Sequence, residues 1–251
     1  MMNKKVKDTI VAILVLLVIG TLIYVVYTHG RNREQRALAQ RISALSPRGG
    51  LPETIEGLRQ AIAIYEEQIE NYVRDGAQTG AYWKILAIRL SDRGMHRDAL
   101  NALERAIHYN ADDPTLFFLT GESASVTAAS TMDFGSNSSA ERERLLTLAE
   151  TAYLRAIQMD DTYQRPRLSL AILYTFDLDR PSDAIPLMER YLDISPNDIN
   201  GMFVLARALY MTEQYRRAVD LYDRIITTTR DPQVRNEAQN NREMIMDRIY
   251  G

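Results

Sequence analysis

Apolar residues recur at intervals of three and four along most of the chain, the spacing of one buried face of an α-helix, and strand-like alternation is scarce. One stretch departs from that rhythm. From Thr9 to Thr28, "TIVAILVLLVIGTLIYVVYT", the residues are uncharged and mostly aliphatic. About twenty such residues, rising about 1.5 Å each, cover the roughly 30 Å of a bilayer's hydrocarbon. Tyr24 and Tyr27 sit near one end, where amphipathic rings favour the headgroups. The stretch therefore predicts a tail and single transmembrane helix over residues 1–30. The alternative is a cleaved signal peptide. The apolar run exceeds the usual signal core and no Ala-x-Ala site follows it, although Thr28 and Gly30 are small.

Orientation follows from the flanks. Lys4, Lys5 and Lys7 precede the span, and Arg31, Arg33 and Arg36 follow it, so the charge rule is nearly balanced. A short tail with three lysines is costly to translocate, whereas a long folded domain crosses largely regardless of charge. The expectation is a single-pass protein of the inner (cytoplasmic) membrane with its bulk on the extracytoplasmic, periplasmic side; the opposite orientation is the alternative.

Residues 31–79 read as a stalk and an N-terminal helix. Glu34 to Leu45 continues the helical pattern, and "SPRGGL" (46–51) breaks it. Pro52 opens the next helix, in which Ile55, Leu58, Ile62, Tyr65, Ile69 and Tyr72 make one apolar face. Gly76 and Gly80 are expected to bound a loop that ends it.

From Gly80 the pattern repeats. Trp83, Leu86, Ala87, Leu90, Gly94, Ala99, Leu103 and Ala106 occur in order, and Phe117, Thr120, Gly121 and Ala124 restart the series about 34 residues on. Ala149, Tyr153 and Ala156 complete that second copy after an insertion. The third copy has Leu170, Ala171, Tyr174, Ala184, Met188, Tyr191 and Pro196, one residue longer than the period. The fourth has Met202, Leu205, Ala206, Leu209, Tyr215, Ala218, Tyr222 and Ile225. The insertion, rich in Ser, Thr, Ala and Gly, predicts a mobile loop over 127–140; its Met132 and Phe134 either dock on something or belong to a tolerated surface insertion. A final helix over 232–251 carries Val234, Ala238, Met244, Ile245 and Ile249 toward the array and reads as a cap.

These copies resemble the tetratricopeptide repeat (TPR) family over residues 80–231, with a possible half repeat around Ala61 and Tyr65. The resemblance implies an all-α protein: a TPR α-solenoid of helix-turn-helix repeats with a C-terminal capping helix, preceded by one transmembrane helix. Two helices approach closely only where small side chains meet. Ala87, Gly121, Ala171 and Ala206 serve the first helix of each repeat, and Ala99, Ala149, Ala184 and Ala218 the second. Ala111, Asp160-Asp161 and Arg230 stand where a proline usually closes a repeat.

Composition narrows the chemistry. Of 251 residues 46% are hydrophobic and 25% charged, an ordinary balance for a folded chain, and a net charge of -3 offers no basic field for nucleic acid. Cysteine is absent, which excludes disulfides, thiolate metal sites and a cysteine nucleophile. No phosphate loop, dinucleotide fingerprint, nucleophile elbow or His-Glu-x-x-His occurs. His29, His96 and His108 have no metal-ligand spacing. Glu141, Glu143, Glu150, Asp160 and Asp161 lie among arginines at helical spacing, the pattern of solvated faces and surface ion pairs. Asn137-Ser138-Ser139 matches a glycosylation acceptor, a short pattern of little weight. Neither catalysis, a cofactor, a metal nor a small-molecule substrate is expected.

What remains is the surface that the resemblance assigns to the first helix of each repeat. It places Lys84, Ile88, Phe118, Glu122, Arg165, Leu168, Ile172, Phe176, Phe203, Arg207 and Tyr210 along a partner-binding groove, each either lining the groove or packing between repeats. Ile88 stands where members that clamp a peptide's terminal carboxylate have asparagine, so that mode is not expected. A helical or extended protein segment with aromatic anchors, and an acidic residue for Arg207 or Arg165, fits the set. The expected protein is a membrane-anchored scaffold or adaptor that supports assembly of an envelope complex. The alternatives are a regulatory subunit of a membrane-associated enzyme, or the same adaptor facing the cytoplasm.

Overall fold

A computed structural model of the protein describes Gln40, residues 54–131 and residues 136–250. The expected span, the stalk from Glu34 to Leu45, the break at 46–51, and Met132 and Phe134 lie outside the described residues. Among the described residues no helix is long and apolar enough to cross a membrane. The chain divides into two units, residues 1–74 and residues 75–251.

In the first unit residues 55–74 form the beginning of helix α1 (Ile55–Asp92). Thr54 starts it: its Oγ1 accepts a hydrogen bond from the Gly57 amide at 3.0 Å and its carbonyl accepts from Leu58 at 2.9 Å.

The loop expected between Gly76 and Gly80 is instead helical. Glycine costs a helix about 1 kcal/mol relative to alanine, and Ala77 and Ala81 are the strongest helix formers. Gly80 has a packing reason to be glycine. A Cβ there would fall 2.7 Å from Asn110 and 2.8 Å from Tyr109, so only glycine lets the end of the next helix approach this closely.

The second unit continues with α2 (His96–Tyr109), α3 (Pro114–Ser130), α4 (Ser136–Met159), α5 (Gln164–Ile172), α6 (Pro181–Ile194), α7 (Ile199–Met211), α8 (Tyr215–Thr228) and α9 (Pro232–Tyr250). From α2 onward each helix packs on the next, and α3, α5 and α7, the first helices of successive repeats, also touch in series. Asp113, Asp198 and Asp231 accept hydrogen bonds from the amides of Thr115, Gly201 and Gln233, at 2.9, 2.6 and 2.8 Å. Asp160 takes the place of the expected closing proline by accepting from Thr162 N at 2.9 Å. The turn between the two helices of a repeat requires left-handed backbone: Gly94 at φ +73°, Asp179 at +50° and Glu213 at +60° occupy it in the first, third and fourth copies.

The small-residue positions are buried as the spacing predicts. Ala99, Ala149, Ala171, Ala184, Ala206 and Ala218 have no exposed surface, and Ala87 and Gly121 are also buried. A Cβ on Gly121 would lie 2.4 Å from the Tyr153 ring, which marks how closely α3 and α4 approach. Leu103, Leu116, Met188, Met202, Leu209 and Ile225 fill the spaces between helices, and Ile245 of α9 is fully buried against the last repeat.

The insertion departs from the expected loop over 127–140. Residues 127–130 close α3, with Thr127 and Ala128 buried, and residues 136–140 open α4. The reason is local. Thr127 Oγ1 donates to the Ser123 carbonyl at 2.6 Å, and "AERERLL" is a run of good helix formers. The insertion lengthens two helices of the second repeat.

The third repeat carries a different irregularity. Ala87 and Ala99, like Ala206 and Ala218, are 12 positions apart, whereas Ala171 and Ala184 are 13 apart. The extra residue is absorbed where α5 passes into a π-helical turn, Leu173–Asp177.

Candidate functional site

The first helices of the repeats, α3, α5 and α7 with the end of α1, carry the predicted groove residues, and the π-helical turn divides them between two hollows. Phe176 of that turn lines one and Asp177 the other.

The hollow of about 280 Å³ brings Phe176 together with Phe203, Val204, Arg207 and Tyr210 of α7, Tyr222 of α8, and Glu237, Asn241, Met244 and Ile245 of α9. Phe176 is 57% exposed, an unusual state for a phenylalanine flanked by core. Phe203 meets Tyr222 edge to face, ring centroids 5.9 Å apart. The Arg207 guanidinium lies 5.6 Å from the Tyr210 ring, and Arg207 forms no ion pair with any described residue. Burial pushes the Tyr222 hydroxyl above its usual pKa; Arg207 pulls it down and Glu237 pushes it up, so both charges are felt inside the hollow.

The second hollow, about 190 Å³, lies between Glu122, Ser125 and Val126 of α3, Tyr153 of α4, and Ser169, Ile172, Leu173 and Asp177. Its charges are already answered. Arg165 reaches Glu122 at 3.8 Å and Arg142 reaches Asp177 at 3.3 Å. Burial raises the Glu122 carboxyl and Arg165 opposes the rise, while burial pushes the Tyr153 hydroxyl up to about 12. A larger depression, about 560 Å³, sits on α4 beside Glu143, Arg144 and Leu148; all its lining residues come from that one helix, so no two elements converge there.

The predicted set therefore separates. Phe176, Phe203, Arg207 and Tyr210 converge; Glu122 and Ile172 line the smaller hollow; Leu168 is half-buried against the core; Ile88 lies exposed on α1. Phe118 is a correction. It is 1% exposed and packs with Tyr153 and Tyr163, with Arg165 stacked 4.6 Å from its ring, so it belongs to the core and Arg165 is its cover. Lys84 is occupied as well: its Nζ donates to Asp113 Oδ2 at 2.7 Å and to Thr115 Oγ1, tying α1 to the cap of α3.

Repeat spacing did not point to Glu237, Asn241 or Tyr222, because they come from outside the first helices. The readable signal was Glu237, Asn241 and Met244 at intervals of four and three on α9, one face of that helix. Among the described residues no three His, Asp or Glu side chains are placed to hold a metal ion.

With that geometry in hand, comparison with known proteins agrees on the fold. A family profile described as "Tetratricopeptide repeat" matches residues 176–236. The solved structure described as "YrrB: a TPR protein with an unusual peptide-binding site" aligns with a TM-score of 0.54 at 16% identity, over 66% of this chain and 75% of that one. MamA from Desulfovibrio magneticus RS-1 aligns at 0.53 and 13% identity, over 67% and 94%, and MamA AMB-1 at 0.50 and 16%, over 68% and 87%. No curated protein matches the chain. The fold is that of a TPR α-solenoid, and the family match runs from the π-helical turn into α9, spanning Phe176, Phe203, Arg207, Tyr210 and Tyr222 of the aromatic hollow.

Proposed function

We propose that this chain is a membrane-anchored TPR scaffold that takes a segment of a partner protein into the hollow bounded by the π-helical turn, α7, α8 and α9. The observation that carries the reading is Arg207, which forms no ion pair with any described residue and lies 5.6 Å from the Tyr210 ring in the hollow that the exposed Phe176 also lines. An aromatic pocket with a charge at its rim suits an apolar anchor followed by an acidic residue, on an amphipathic helix or an extended strand. The similarity to a TPR protein with a peptide-binding site is in keeping with this. The apolar stretch from Thr9 to Thr28 supports anchoring in the inner membrane, and the lysine tail before it favours repeats on the extracytoplasmic side, serving an envelope complex.

The test is capture of the partner by the full chain and by a variant carrying Phe203→Ala and Arg207→Ala. Partner binding should weaken at least tenfold, about 1.4 kcal/mol, while the cooperative thermal transition survives. Undiminished capture by a folded variant removes the hollow from the reading.

A further inference from the structure

No described residue covers the apolar face of α1 within the first unit. Ile55, Leu58, Ile62, Tyr65, Ile69 and Tyr72 are all exposed, from 41% at Leu58 to 73% at Ile55. The buried positions of the stretch, Gly57 and Ala61, lie to one side of that face, not within the row of six. The spacing of the exposed six is three, four, three, four, three, the 3.5-residue period of a coiled-coil seam, which drifts around an isolated helix of 3.6 residues per turn.

Assigned to heptad positions, isoleucine takes every a site (Ile55, Ile62, Ile69) and Leu58, Tyr65 and Tyr72 take the d sites. β-Branched residues at a with Leu at d favour two parallel strands; the layer at Ile55 and Leu58 has that pairing, and Tyr65 and Tyr72 place rings at the other d sites. The flanks agree with a pair of identical chains in register. The facing e and g residues are Thr54 with Arg59, Ala61 with Glu66, and Gln68 with Val73, and no like charges meet. Gln68 donates to the Tyr72 hydroxyl at 3.1 Å, so that polar atom is satisfied at the rim and the ring's apolar body is left for the seam. Covering the six side chains removes on the order of 700 Å² on each copy, near the roughly 800 Å² per partner of a stable interface.

We infer that residues 55–72 pair with the same segment of a second copy as a parallel, in-register two-stranded coiled coil, making the scaffold a dimer. The inference is independent of the groove: it concerns a different unit of the chain and a different kind of contact.

Absence of cysteine makes the test clean. The purified full chain in detergent is oxidised with Leu58→Cys on the seam and, separately, with Gln60→Cys on the opposite face. Leu58→Cys should form a disulfide-linked dimer and Gln60→Cys should remain monomeric. Adding Ile62→Glu and Ile69→Glu to the Leu58→Cys chain should cut the dimer at least tenfold with the array's thermal transition unchanged. No dimer from Leu58→Cys, or equal dimer from both positions, overturns the inference. A monomer whose Leu58→Cys thiol is shielded from maleimide also overturns it, because the chain then covers its own seam.

Discussion

Ala206 has no exposed surface and stands where α7 and α8 approach each other, so the repeat has no room for a larger side chain at that point. Ala206→Leu should overpack the interface and cost about 1 to 3 kcal/mol, read as a lower midpoint in urea or thermal unfolding. All eight small positions were legible in the sequence, because the same requirement recurs every 34 residues or so and leaves a periodic trace. Phe118 was not legible. Its offset within the repeat matches a groove position, yet the ring sits beside Tyr153 and Tyr163 under the Arg165 guanidinium. Whether an aromatic side chain points to a groove or between helices depends on the space its neighbours leave, and spacing carries no record of that space. Lys84 shows the same limit for charge. A lysine on the groove helix reads as a ligand for a partner until the structure shows Asp113 already holding it.

The second repeat's first helix begins at that same aspartate. Burial works to raise the Asp113 carboxyl, but hydrogen bonds from Lys84 and Thr115 outweigh it and hold the group below its ordinary 3.8. The sign of the linkage follows. The unfolded chain takes up the proton at higher pH than the folded one, so the stabilisation is present above about pH 4 and is lost as pH falls through the lowered folded value. Asp113→Asn should cost about 1 kcal/mol in urea unfolding at pH 7, and the gap to the parent should close as acid protonates the native carboxyl. Other element-level features divide in the same way. The helix start at Pro232 was readable because proline at the first turn sacrifices no hydrogen bond. The helix through Gly76 and Gly80 was not, because the gain that offsets two glycines comes from Asn110 and Tyr109, some thirty residues away. The extra residue between Ala171 and Ala184 was countable, but that a π-helical turn absorbs it, presenting Phe176 and Asp177 to different hollows, is decided by the packing of α5 and α6.

At the scale of the whole molecule, the second to fourth repeats share one core that none could bury alone, a smaller cluster around Leu103 and Leu116 lies at the first, and α9 covers the last repeat with Ala238 and Ile245. The same helix supplies Glu237 and Asn241 to the aromatic hollow, so the helix that closes the array also walls the hollow. The proposed placement of the repeats outside the cytoplasm is testable in intact cells. A single cysteine at the exposed Ala129 should react with a membrane-impermeant maleimide without lysis when the repeats are extracytoplasmic; labelling only after lysis reverses the orientation. By itself the sequence determined the helical class, the repeat period, the close-packing residues, the start of the last helix and the apolar stretch long enough for a bilayer. Each of these is a local or periodic demand on residue type, and such demands are written along the chain. Only the tertiary structure decided which groove residues converge, which cations are already paired, and which apolar stripe no described residue covers. Those outcomes depend on side chains that meet across distant segments, where the vacancy or occupancy of a contact is set by packing rather than by order in the chain.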